Sequence, residues 1–210
     1  MRFRALAIVA ALAVAAPVIA QQDPGTPGAK DASRVTAGTY AADPTHTLVG
    51  WRVNHFGFND YFGLIGDVSG TLVLDPKNPN AATVDITIPV SKILTASEGL
   101  NKHLLKPAEA GKSADFFGAT PADARFVSKR VAASGTKAVI TGDLTLNGVT
   151  REVALDAEFT GAGANPYNKK ETVGFEATAK VKRSDFNIAY GIPLVSDEVE
   201  LNITVAFEKK

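Results

Sequence analysis

No cysteine occurs in the 210-residue sequence, which removes disulfides, thiolate chemistry and lipid attachment at a processed N-terminal cysteine. The fold must hold by packing alone. An excess of charge is missing too: 22 Lys and Arg stand against 22 Asp and Glu, with no block of like sign, so neither nucleic acid nor an anionic membrane surface is an expected partner. Aromatic residues make up only 8% of the chain, which ends Phe-Glu-Lys-Lys rather than on an aromatic; both features argue against an outer-membrane barrel with its two aromatic girdles. No G-x-S-x-G elbow, glycine-rich phosphate loop or paired-carboxylate motif appears at recognisable spacing. The apolar run from Ala5 to Ala16 is well short of the roughly 20 residues that cross a bilayer, so stable membrane insertion is not expected.

That run follows the basic start Met1-Arg2-Phe3-Arg4 and leads through Pro17 to Val18-Ile19-Ala20. Residues 1–20 therefore read as a cleavable secretory signal peptide, and the expected location is the periplasm. Arg2 and Arg4 are not adjacent, as a twin-arginine signal would require. Without these two arginines 20 basic residues face 22 acidic ones, a net charge of −2. Residues 21–38 (QQDPGTPGAKDASRVTAG) are rich in Gly, Pro and Ala and read as a flexible linker. Residues 39–210 remain, enough for one domain with a sizeable core.

Within that domain the dominant period is two. Val199, Leu201, Ile203, Val205 and Phe207 share one face of a strand whose other face is mainly polar. The same alternation recurs at Val84 to Val90, Ile140 to Leu146, Val153 to Phe159 and Val173 to Val181. Strands are expected near residues 35–41, 47–55, 64–75, 82–92, 124–133, 136–146, 149–160, 171–183 and 198–208. Asn147-Gly148 is the dipeptide of a two-residue hairpin with two positive φ angles. Leu100, Leu104 and Leu105, followed by Pro107, place a short helix between the fourth and fifth strands. An all-β, up-and-down antiparallel barrel of about eight strands buries one apolar face per strand and removes exposed edges. A sandwich could bury the same faces.

Candidate chemistry is sparse. His46, His55 and His103 are the only histidines. On one continuous strand His46 and His55 would point to opposite faces, so no metal site is expected. Val49, Trp51, Val53 and then His55 share a parity, as do Val173, Phe175, Ala177, Ala179, Val181 and then Arg183. Each polar group stands at the last inward position of its strand. In an up-and-down order these strands run the same way, so His55 and Arg183 reach one rim, where a ligand head could meet them. Arg183 could instead turn outward or pair with Asp185. The stretch Val53 to Gly63 holds Phe56, Phe58, Tyr61 and Phe62, read as a loop beside that rim.

These residues resemble the YceI-like family. The resemblance rests on Tyr40, Asp43, His46, Val49-x-Trp51-x-Val53-x-His55, Gly57 and Gly63, then Thr95, Asn101-x-His103-Leu104, Asp115-Phe116-Phe117, Phe126-x-Ser128, Gly142 to Thr150, and Arg183-Ser184-Asp185-Phe186, in the family's order. It departs at an apparent insertion, Pro107 to Lys112, at the spacing of the proline before Phe126, and at Asn187, where glycine is common. The resemblance implies an exported lipocalin-like barrel that binds a polyisoprenoid, quinone or similar long lipid, with no other cofactor. Val49, Trp51, Val53, Phe56, Phe58, Phe62, Val173 and Phe175 would touch the chain; Leu104, Phe116, Phe117 and Phe126 would cover it; His55, His103, Arg183 and Phe186 complete the expected set.

The leading expectation is a non-catalytic periplasmic carrier or scavenger. An enzyme with His55 as base and a structural protein with a side-chain-filled lumen are the alternatives. Oligomeric state is left open, a homodimer included.

Overall fold

The computed structural model describes residues 25–210, so the signal-peptide reading of residues 1–20 lies outside the described residues. The period-two segments form eleven strands: β1 (Gly38–Ala42), β2 (Leu48–His55), β3 (Asn59–Ile65), β4 (Ser69–Leu74), β5 (Thr83–Ile88), β6 (Ile93–Leu94), β7 (Ala124–Ser134), β8 (Lys137–Leu146), β9 (Val149–Ala164), β10 (Glu171–Lys182) and β11 (Glu198–Lys209). β1 pairs with both β4 and β11, so β1-β4-β5-β7-β8-β9-β10-β11 closes into an eight-stranded antiparallel barrel. The Asn147-Gly148 hairpin forms as expected, with φ of 50° and 75°.

Two expected strands, 64–75 and 82–92, are interrupted, and a bend separates the first two, each for a local reason. The pair β1 and β2 shares β11 as partner, and the bend between them is fixed by Asp43, whose carboxylate accepts from the Thr45 amide (2.9 Å), the Thr45 hydroxyl (2.7 Å) and His46 Nδ1 (2.6 Å). The expected strand 64–75 starts instead at Asn59 and breaks where Asp67 takes a φ of 55°. The strand expected over 82–92 stops at Ile88 because Pro89 has no amide to donate. Past that break β6 pairs with β3 rather than β7.

The opening beside β6 is covered by helix α1 (Glu98–Leu104), the one α-helix among the described residues. Ser97 Oγ accepts from the Leu100 amide (3.2 Å) and starts it. Asn101 binds it to the end of β6, its Oδ1 accepting from the Thr95 amide (2.7 Å) and hydroxyl (2.8 Å). Leu104 then packs on Ile65 and Ile93. No helix among the described residues is long and apolar enough to cross a membrane.

The opposite end of the barrel is closed by Tyr40, Val35, Phe159, Ala162, Val173 and Phe207. Burial of each valine and phenylalanine there contributes roughly 1.5–3 kcal/mol. Tyr40 is fully buried, and its hydroxyl donates to Glu171 (2.6 Å) and lies against the Thr36 carbonyl. Burial, reinforced by the Glu171 carboxylate, pushes the Tyr40 phenol up to about 12. For Glu171 burial works toward a higher pKa, but hydrogen bonds from Thr36 and Tyr40 and the charge of Lys209 outweigh it and hold the carboxyl below its ordinary value.

Part of the stretch expected as a flexible linker is docked. Ala29 and Ala162 exchange amide-to-carbonyl hydrogen bonds (3.1 and 2.8 Å), Lys30 pairs with Glu158, and Val35 is buried in the end cluster. Gly161 and Gly163 face this segment, and a Cβ at Gly163 would collide with the Pro27 carbonyl carbon at 2.8 Å. Composition carries no sign of the Ala29–Ala162 pairing because those contacts are between backbones.

Candidate functional site

Inside the barrel lies a cavity of about 130 Å³; counting every gap between atoms out to its open side, unfilled space comes to about 920 Å³. Its walls are the inward rows of β2 and of nearly every barrel strand: Val49 of β2, Leu72 of β4, Val84, Ile86 and Ile88 of β5, Phe126 of β7, Ile140 and Leu144 of β8, Val153, Leu155 and Ala157 of β9, Phe175 and Ala177 of β10, and Leu201 to Phe207 of β11. Thr47 is the one lining residue with a polar side chain, and its hydroxyl lies 3.5 Å from the Ala206 carbonyl oxygen. Such a space has no group to activate water or hold a charge. It suits an apolar chain, with shape and dispersion as the only selectors.

Above the cavity sits a roof built from α1 and the segment behind it. Trp51, Leu104, Phe116 and Phe117 pack there with Ile65, Ile88 and Ile93, and the Phe117 amide donates to the Leu104 carbonyl (3.1 Å). His103 ties the parts together: its Nε2 lies 2.8 Å from Asp115 Oδ2, and its ring meets Phe116 and Tyr190 edge-on at 5.2 and 5.0 Å. Two glycines make room for the large rings. A Cβ on Gly63 would stand 2.7 Å from Trp51 Nε1 and closer still to the ring carbons beside it; on Gly142 it would stand 2.8 Å from Phe126 Cε2 and closer to Cζ.

Of the residues expected to touch a chain, Val49 and Phe175 line the cavity, and Trp51 stands in the roof. Phe126, expected in the cover, lines the cavity instead. Val53 is half-buried at the end of β2, and Val173 belongs to the closed end with Tyr40. Phe56, Phe58 and Phe62 do not reach the cavity: they are 49%, 87% and 61% exposed. The reading of Val53 to Gly63 as a rim loop is corrected here. Phe56 (φ 58°) and Gly57 (φ 73°) form a tight turn, and pairing resumes at Asn59. Phe62 then lies opposite Arg52 on the outer face.

His55 and Arg183 do come to one rim, since His55 bridges to Val195 while the Arg183 amide donates to the Asp197 carbonyl (2.9 Å). Arg183 neither faces a ligand nor pairs with Asp185. Only 6% exposed, it donates through Nε to the Ser196 carbonyl (2.9 Å), through one terminal nitrogen to Ile188 (3.1 Å) and Tyr190 (2.7 Å), and through the other to Val195 (2.9 Å). Burial lowers the guanidinium's pKa, opposed by the Asp197 charge. The arginine is thus a staple for the loop 188–196. Phe186 is fully buried beside Phe126, Leu144 and Ile188.

The imidazole of His55 rests on Phe56, ring centres 4.0 Å apart, and among the described residues no carboxylate or amide orients it, as a general base would need. No cluster of three His, Asp or Glu side chains that could hold a metal occurs among the described residues. Residues missed in the expected ligand set, such as Ile86, Ile140, Leu155, Ala177 and Ile203, all carried the inward parity. What hid them was only their ordinary aliphatic character.

A family model, that of the YceI-like domain, matches residues 40–207. The protein YceI of Shigella flexneri is 40% identical over 161 residues, which cover 76% of this chain and 80% of that one. Among solved structures, Burkholderia cenocepacia BcnA superposes with a TM-score of 0.65 at 26% identity, covering 79% of this chain and 98% of its own. A polyisoprenoid binding domain from Saccharophagus degradans superposes with a TM-score of 0.56 at 14% identity, covering 81% and 98%, and shares the fold.

Proposed function

This chain belongs to the YceI-like domain family, and on that premise we propose that it is an exported, non-catalytic carrier or scavenger that holds the chain of a long apolar lipid, such as a polyisoprenoid or a quinone tail, inside its barrel. The observation that carries this reading is the cavity, whose walls are apolar except for Thr47. Burial of a prenyl chain contributes about 0.8 kcal/mol per methylene, or up to ~4 kcal/mol per five-carbon unit before ordering costs. Two or three units are then enough for firm binding without any head-group contact. The signal-peptide reading of the first twenty residues supports a periplasmic site of action, and the unoriented His55 favours binding over turnover.

Farnesol titrated against the purified protein tests this directly, because Trp51 is the only tryptophan and lies in the roof of the cavity. Saturable change in its emission, together with prenyl lipid in a solvent extract of freshly purified protein, is the expected result. An unchanged spectrum and a lipid-free extract would overturn the reading.

A further inference from the structure

Trp51 Nε1 is buried and, among the described residues, is the one buried side-chain nitrogen or oxygen that lacks a hydrogen-bond partner. Buried indole N–H groups ordinarily find an acceptor, so an orphan asks for a reason. Its position supplies one. Trp51 stands on the inward row one step beyond Val49, which lines the cavity; its cross-strand partner Leu201 lines the cavity as well, as does Ile88, which packs against the same buried cluster. Beyond it lies the roof, Leu104 and Phe116. The indole therefore occupies the junction of cavity and roof.

The neighbouring polar groups are already engaged. Thr47 faces the Ala206 carbonyl, Thr95 and Asn101 satisfy one another, His103 has Asp115, and Arg183 holds its four carbonyls. Gly63 is what lets the ring lie as it does, since any Cβ there would displace its Nε1 edge. One spare donor thus remains beside one end of the apolar space, next to residues that line it.

We propose that this N–H receives the oxygen of the lipid's head: a single hydroxyl, carbonyl or phosphoester acceptor, seated under the roof, with the chain running from there toward Tyr40. This rests on the carrier reading and adds a ligand class and a polarity to it. A lone neutral donor selects one acceptor atom, so oxygen-bearing prenyl lipids are preferred over hydrocarbons of the same length, by about tenfold for one net hydrogen bond.

The test compares farnesol with the fifteen-carbon triene that lacks only its hydroxyl. Nitrogen-15 labelling of the wild-type protein gives a single indole N–H signal, which farnesol should move downfield and the triene should not. Competition against a fluorescent apolar probe should show the tenfold preference in the wild type and its disappearance in Trp51→Phe, which keeps an aromatic ring but not the donor. Binding of both ligands with equal affinity and equal shifts overturns the assignment and leaves the carrier reading standing. Binding of neither overturns both.

Discussion

Replacing Arg183 with methionine should destabilise the protein severely while leaving a bound lipid chain almost untouched. The side chain donates four hydrogen bonds of 2.7–3.1 Å to the carbonyls of Ile188, Tyr190, Val195 and Ser196. Hydrogen bonds from a charged donor are worth ~1.5–3 kcal/mol each, which would sum past ~6 kcal/mol. The cost of burying the guanidinium offsets part of that, and methionine restores some apolar contact. A net loss of about 3–5 kcal/mol is left, because four carbonyls lose their donor at once. For a domain of this size each kcal/mol moves Tm by ~2–4 °C, so the variant should melt roughly 6–20 °C lower. Arg183→Lys should recover little, since an ammonium on a linear stem cannot serve four carbonyls set around a planar fork. Urea unfolding and calorimetry measure the loss; farnesol affinity, taken well below the variant's Tm, should change less than threefold. A variant within about 1 kcal/mol of wild type, or one equally stable but tenfold weaker for lipid, would refute the staple and return Arg183 to the ligand.

Three further outcomes follow from the geometry. Gly63→Ala should displace the Trp51 ring, shift its emission and cost about 1–3 kcal/mol by urea titration; an unchanged spectrum would show that the ring does not need that space. The Tyr40 phenol, raised from 10.0 to about 12 by burial and Glu171, stays neutral in the fold where the unfolded chain ionises, so stability complete below pH 10 should fall by roughly 3 kcal/mol as pH rises toward 12. Tyr40→Phe should flatten that alkaline limb, and a slope equal to wild type would refute it. Phe58→Ser and Phe62→Ser should leave farnesol affinity within twofold, since both rings face solvent; a fivefold loss in either would place them back in the site.

Parity made the inward rows legible, and with an up-and-down order the shared rim of β2 and β10, because a period of two maps directly onto faces; the choice of barrel over sandwich rested on the family resemblance. It could not reveal Arg183's partners: four backbone carbonyls of a loop leave no mark in side-chain type. The Phe56 to Phe62 stretch failed for a related reason. A tight turn at Phe56-Gly57 restarted pairing at Asn59, five residues earlier than expected, and the restored parity turned Phe62 outward. The docking of Ala29 on Ala162 escaped because Gly- and Pro-rich composition describes how a chain can move, not which backbone groups it finds. Trp51 was legible as an inward ring; that its N–H has no partner depends on three dimensions.

The central claim is that the cavity itself holds the lipid. Ala177 is buried and faces it from β10, so Ala177→Phe puts a ring into the space at a cost of only ~1–3 kcal/mol. Native mass spectrometry of the two proteins after incubation with farnesol is the most direct measurement: the wild type should carry one farnesol per chain, and the folded Ala177→Phe variant none. Equal occupancy of both, or no adduct on the wild type, would contradict it.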